Sequence, residues 1–288
     1  MERKCETYDA DGATIEYSII GEGEPILVFH GGHSNCKEEF GYKTLVKNAF
    51  SIITPSRAGY GITSKEIGKS LSVACEYYAK LLTHLNLEKV HLLAISAGGP
   101  SGIYFAANYP EKVRSLTLQS AVTKGWLAPQ DKEYKVAKLV FHPNTEKLTW
   151  RFLASFNRVF PRFIFKQMFS QFSNLTYREA REKINKEDID EIRKMNNRQR
   201  SKYGFFIDLE QMNTIVSKDL QAITCPTLIM HSKHDGLIPL EHPYFAYENI
   251  SNSELCLLDT WGHLIWLGTS SNETDDKFIS FLTSHSIS

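Results

Sequence analysis

The chain has 288 residues with 33 Lys plus Arg against 33 Asp plus Glu, so its formal net charge is zero and nothing global points to nucleic acid or an anionic surface. The length suffices for one large core with an insertion; no apolar run approaches the ~18 residues of a membrane helix, and Met1 to Gly12 lacks the apolar stretch of a secretory leader. Five cysteines without a C-x-x-C pair make a poor disulfide framework. The expectation is a soluble, cytoplasmic protein with reduced thiols and no nucleic-acid or membrane partner.

Taken in chain order, short apolar runs alternate with helical patterns up to about Val122, the mark of βαβ units and a mostly parallel sheet. Strands are predicted at 14–20, as an early antiparallel member, and at 25–30, 51–54, 90–95 and 115–118. Leu71, Ala74, Cys75, Tyr78, Leu81, Leu82 and Leu85 recur at i, i+3, i+4, i+7, the apolar face of a helix. A second helix is expected over 102–109, stopped by Pro110.

Strand signals stop at about Lys124 and return only at 226–231 and 254–258, followed by a closing helix through Phe278, Ile279 and Leu282. The chain therefore divides into a first core part (1–123), a helical insertion (124–216) and a second core part (217–288). Between Lys124 and Lys218 there are 19 Lys plus Arg and 11 Asp plus Glu, a balance of +8 that leaves −8 on the rest. The plain interpretation is solvated helix faces whose basic side packs on an acidic core. The dense aromatics here, among them Trp126, Phe141, Trp150, Phe165 and Phe172, are expected to fill a small core of the insertion and to roof a pocket.

The segment Val90-His-Leu-Leu-Ala-Ile-Ser96-Ala97-Gly98-Gly99 runs an apolar strand into a turn of small residues and then a helix. A nucleophilic serine on a strained strand-to-helix turn needs such neighbours, because strand and helix approach closely there. Ser96 is the candidate nucleophile. The short motif alone arises often by chance, so its weight comes from partners: a base within hydrogen-bond reach and a group to orient it. Asp235 follows the 226–231 strand and His263 follows the 254–258 strand, each at the start of a loop. Asp259 is the competing acid, close to His263 but on the last strand.

These residues, with Phe29-His30-Gly31-Gly32 after the first parallel strand and Ser56-Arg57-Ala58-Gly59-Tyr60-Gly61-Ile62-Thr63-Ser64, resemble the α/β-hydrolase superfamily, in its capped branch of esterases, proline iminopeptidase-like and haloperoxidase-like enzymes. The resemblance covers 11–122 and 226–281. Ala94 replaces the first glycine of G-x-S-x-G, and Ser56 and Ala58 replace the Asp and Pro of the D-R-P-G-x-G-x-S turn. The resemblance implies an α/β-hydrolase fold with a helical cap, a Ser96–His263–Asp235 triad and an oxyanion hole from the Gly32 and Ala97 amides.

His33 and Ser34 stand where proline iminopeptidases carry Pro-Gly, and position 96 is not the aspartate of epoxide hydrolases and dehalogenases. Hydrolysis of a small carboxylic ester or related acyl bond, through an acyl-Ser96 intermediate and without cofactor, is the resulting expectation. A peptidase-like or C–C hydrolase, or a ligand-binding and signalling protein that keeps the triad without turnover, stands as the alternative. A metal site from His30-x-x-His33 and His231-x-x-His234-Asp235 is disfavoured, because neither pair lies on one helical face and H-E-x-x-H is absent.

Overall fold

The strand Val90–Ile95 is buried along its whole length. Val90, Leu92 and Ala94 point to one apolar layer and Leu93 and Ile95 to the other, as a central parallel strand covered on both faces requires. The computed structural model describes residues 2–286 and contains, in order, β1 (Arg3–Ala10), β2 (Ala13–Ile20), β3 (Glu24–Phe29), α1 (Tyr42–Lys47), β4 (Phe50–Pro55), α2 (Leu71–His84), β5 (Val90–Ile95), α3 (Gly99–Asn108) and β6 (Val113–Gln119). Helices α4 (Lys132–Val140), α5 (Glu146–Val159), α6 (Pro161–Phe172), α7 (Asp188–Arg198) and α8 (Gly204–Gln211) come next. The chain closes with α9 (Ser217–Gln221), β7 (Thr227–Ser232), α10 (Glu241–Asn249), β8 (Ser253–Leu258) and α11 (Ser271–Ser284).

One eight-stranded sheet runs in the order β1-β2-β4-β3-β5-β6-β7-β8. Pairing is antiparallel between β1, β2 and β4 and parallel from there on. Sequence periodicity missed β1, whose exposed Lys4, Glu6 and Asp9 suit a charged edge strand and hide its alternation. It also placed the start of α3 three residues late, because glycines mark the helix's first turn.

Helices α4–α8 lie between β6 and β7 in the chain, over the carboxyl ends of the parallel strands. Their apolar clusters are shared with core loops. Phe165, Phe169, Ile192 and Met195 pack with Trp261 and Leu264, which flank His263, and Tyr134, Leu209 and Met212 pack with Val122 and Ile238.

Candidate active site

At the end of β5 the chain turns into α3 through Ser96, which holds φ +51. That left-handed conformation costs a non-glycine residue about 1–2 kcal/mol, so the surroundings must enforce it. They do so by close approach. A Cβ on Gly98 would stand 2.2 Å from the Phe29 carbonyl oxygen and one on Gly99 2.0 Å from that of Val122, while the Val122 N–H donates to the Ser96 carbonyl at 2.9 Å. Ala94, the departure from the family pattern, faces Gly102 of α3, where an added Cβ would meet the Ala94 Cβ at 2.4 Å. The methyl missing from the helix makes room for the methyl present on the strand.

The loops after β7 and β8 bring Asp235 and His263 to the same edge. His263 Nε2 accepts from Ser96 Oγ at 3.1 Å, and its Nδ1–H donates to Asp235 Oδ2 at 2.8 Å, a tautomer set by a carboxylate that only accepts. The other carboxylate oxygen accepts the Leu237 and Ile238 N–H groups, both at 2.8 Å. Burial of Asp235 favours its neutral form, but the charge and hydrogen bond of His263, with His231 and the Ile238 N–H, outweigh it, and its pKa lies below the ordinary carboxylate value. His231 stands 3.3 Å from Asp235 Oδ2 while donating to the Ile238 carbonyl at 2.9 Å. Asp259 is exposed and turned elsewhere, bound to Lys183 at 2.6 Å and His234 at 2.8 Å.

Gly32 and Ala97 both line the cavity beside Ser96. Ala97 is the second residue of the helical turn Ser96–Gly98, so its N–H has no partner within that turn. The His30–Gly32 loop is held by Arg57, whose Nε donates to the His30 carbonyl at 2.7 Å and whose Nη2 donates to that of Gly31 at 3.3 Å. The Arg57 backbone N–H donates to His30 Nε2 at 3.0 Å. Arg57 is buried and forks onto Asp208 of α8, which also accepts from Tyr60 Oη at 2.6 Å. A residue of the insertion thus anchors the loop carrying Gly32.

A second tie is closer to the histidine. Residues 172–174, leaving α6, thread between the two loops: the Phe172 carbonyl accepts the N–H groups of His263 at 2.8 Å and Gly236 at 3.1 Å. Ser173 Oγ donates to the Trp261 carbonyl at 2.5 Å, and Asn174 Nδ2 donates to that of Asp235 at 2.8 Å. A side chain at Gly236 or Gly262 would enter this strap, with contacts of 2.7 Å and 2.3 Å to its backbone. Neither the strap nor the Arg57–Asp208 fork carries a signal in sequence spacing.

Ser96 and His263 open into a cavity of about 510 Å³. Its floor is Gly31, Gly32, Ser96 and Ala97, and its roof includes Trp126, Phe141, Trp150, Met168, Phe172 and Phe205 from the insertion. Among the described residues, the charged side chains of its wall, histidines aside, are Glu38 and Glu133, with no lysine or arginine; Glu38 is tied to Arg198 at 2.6 Å. His33 faces the cavity and shares a hydrogen bond of 2.7 Å with Ser201 Oγ, and the rings of Phe141 and Phe205 each stand 4.2 Å from its own, centroid to centroid. Burial pushes its pKa down to about 3. Among the described residues no group of three or more His, Cys, Asp or Glu is arranged to hold a metal ion.

A serine on a strained strand-to-helix turn, linked through histidine to a buried aspartate at the carboxyl edge of this sheet, defines a hydrolase of the α/β class. The chain belongs to the α/β-hydrolase fold family, whose model matches residues 24–268. It is 57% identical to the uncharacterized hydrolase YcgS of Bacillus subtilis strain 168, over 99% of this chain and 100% of that one. A solved α/β-hydrolase fold protein from Nakamurella multipartita superposes with a TM-score of 0.83 at 25% identity, covering 98% of this chain and 100% of that one. A 2-hydroxy-6-oxo-2,4-heptadienoate hydrolase of Pseudomonas putida is 28% identical over 39% of this chain and 43% of its own.

Proposed function

We propose that the protein is a serine hydrolase that cleaves an uncharged carboxylic ester with an apolar or aryl acyl group. The observation that carries this is the relay from Asp235 through His263 to Ser96, at 2.8 Å and 3.1 Å, on the floor of an aromatic cavity. His263 Nε2 takes the Ser96 hydroxyl proton as Oγ adds to the ester carbonyl, and the negative oxygen that forms is met by the Gly32 and Ala97 N–H groups. Collapse breaks the ester C–O bond, and the alcohol leaves with the proton held by His263. A water that gives its proton to the same nitrogen then adds to acyl-Ser96, and the acid is released as Ser96 Oγ regains a proton. Asp235 orients the imidazole and stabilises its charge without taking the proton.

The wall favours an uncharged substrate. A substrate carboxylate, such as that of the heptadienoate in the name of the Pseudomonas putida relative, would lie among aromatic rings and two glutamates without a cation to pair with, and unpaired burial of a charge costs several kcal/mol. The test is mass analysis after a fluorophosphonate probe, with turnover of p-nitrophenyl esters of neutral and carboxylate-bearing acids. Labelling of one site and hydrolysis of the neutral series are expected, both abolished in Ser96→Ala, with Asp235→Asn damaging and Asp259→Asn nearly silent. Wild-type kcat in Ser96→Ala, or greater damage from Asp259→Asn than from Asp235→Asn, would overturn the assignment.

A further inference from the structure

Helix α5 has three faces. At 100° per residue, Leu148, Phe152, Phe156 and Val159 fall within an arc of about 80°, and Lys147, Arg151 and Arg158 fall within about 40° beside it. Glu146, Trp150 and Asn157 lie on the opposite side and are the buried ones. An ordinary surface helix puts its apolar stripe inward. Here a second stripe points outward: Leu148 is 68%, Phe152 67% and Val159 66% exposed. The stripe continues into α6 through the exposed Phe160 and Phe163, with ring centroids of Phe152 and Phe156 4.8 Å apart and of Phe156 and Phe160 6.2 Å apart. At its other end α5 is tied to α4, where Thr149 Oγ1 donates to the Val140 carbonyl at 3.3 Å beside the exposed Leu139.

The charge around this stripe has one sign. Residues 134–178 hold eight Lys plus Arg and a single acid, Glu146, which is buried and paired with Arg200 at 2.6 Å. Lys147, Arg151, Arg158, Arg162 and Lys166 are exposed, and none of the five joins an ion pair among the described residues. A contiguous apolar patch rimmed by cations calls for a partner that is apolar and anionic at once. A second copy docked face to face through this patch would set the same basic row against itself, which charge disfavours. We propose that the outer face of α4–α6 docks on an anionic phospholipid surface, with Phe152, Phe156, Phe160 and Phe163 in the headgroup–acyl boundary and the basic row on the phosphates. The inner faces of the same helices roof the cavity through Phe141, Trp150 and Met168, so docking sets the roof against the lipid.

The test is cosedimentation of the full chain with vesicles of phosphatidylcholine alone and of phosphatidylcholine mixed with phosphatidylglycerol. Binding to the mixed vesicles is expected to exceed binding to phosphatidylcholine by about a hundredfold and to collapse as salt rises to about 0.5 M. The triple variant K147E/R151E/R158E is expected to lose at least about a hundredfold in partition, and F152S/F156S to lose partition as well. Circular dichroism and the thermal midpoint report that each variant is folded, and the charge variant alone suffices should the Phe pair fail to fold. Absence of vesicle binding, equal binding to both vesicle types, or full binding by the charge variant would overturn the proposal. So would a dimer in sedimentation velocity that F152S/F156S abolishes while the wild type leaves vesicles unbound, which makes the face a self-association surface.

Discussion

Gly102→Ala pits two effects of known sign against each other. In the interior of α3, alanine is preferred to glycine by about 1 kcal/mol. The new methyl, however, would stand 2.4 Å from the Ala94 Cβ, about 1 Å short of an ordinary contact, between a helix and a strand pinned by the tight approaches at Gly98 and Gly99. Overpacking of that kind costs about 1–3 kcal/mol, and with both elements pinned the upper end applies, so the variant loses about 2 kcal/mol net. Ala94→Gly alone also destabilises, by about 1.5 kcal/mol, from a lost buried methyl and a strand glycine. In the double variant the clash is gone, since the remaining neighbours of the new methyl are Leu116 Cδ1 at 3.6 Å and the Cα of residue 94 at 3.8 Å. Gly102→Ala then stabilises by about 1 kcal/mol on the glycine background, a sign reversal and a coupling of about 3 kcal/mol. Urea unfolding of the four proteins by tryptophan fluorescence, at unchanged m, measures the cycle. A coupling below about 0.5 kcal/mol, or a stabilised Gly102→Ala single variant, would refute the exchange of methyls between strand and helix.

Three further outcomes follow from the site. Asp208→Ala leaves the buried Arg57 guanidinium and Tyr60 hydroxyl without their acceptor and is expected to cost about 3–5 kcal/mol, while Arg57→Met/Asp208→Leu costs less than the sum of its singles; additivity in urea titrations would argue against the fork. Replacing the insertion by a short linker removes the Phe172 carbonyl from His263 and Gly236, so fluorophosphonate labelling is expected to fail even in a folded product, and Asn174→Ala to slow it at unchanged KM for neutral esters; normal labelling of a folded deletion protein would show that the strap is dispensable. His30, His91 and His242 are buried neutral: burial, with Arg57 nearby, holds His30 well below the ordinary value, and burial holds His91 and His242 at about 4 despite the Glu24 carboxylate beside His91. The unfolded chain takes up these protons near pH 6.5 and the folded chain does not, so stability is full above that pH and falls toward pH 4, by up to about 2 kcal/mol per histidine at pH 5. Urea midpoints from pH 7.5 to 5 should drop with a slope that His242→Gln lowers by about one proton, and a flat profile would contradict the burial of neutral imidazoles.

Much of the fold was legible because each parallel strand carries its own signal: 90–95 and 226–231 are short apolar runs bounded by turn residues, and buried strands have no other composition open to them. The three relay residues were legible for a related reason. Ser96, Asp235 and His263 each follow such a strand, and parallel strands joined by right-handed crossovers deliver all their carboxyl ends to one edge, so the three can meet there; their roles as nucleophile, acid and base are what the resemblance to the α/β-hydrolase superfamily implied.

What spacing cannot express is contact between segments that neither pair in the sheet nor share a period. The Phe172–Asn174 strap and the Arg57–Asp208 fork join residues about 60 to 150 positions apart through single hydrogen bonds and one buried charge pair, and no periodicity encodes such a meeting. The charge of the insertion shows the same limit. A count of +8 between Lys124 and Lys218 reads as solvated helix faces, and Arg198 and Lys183 do pair with Glu38 and Asp259 of the core. Only the packing of α5, which buries Trp150 and turns Phe152 and Phe156 outward, sorts the remaining cations and the aromatics onto one face. Composition and period determined which elements form and which residues can reach the strand edge; the burial of one side of each helix, a choice made by its tertiary neighbours, decided which aromatics roof the cavity and which meet the solvent.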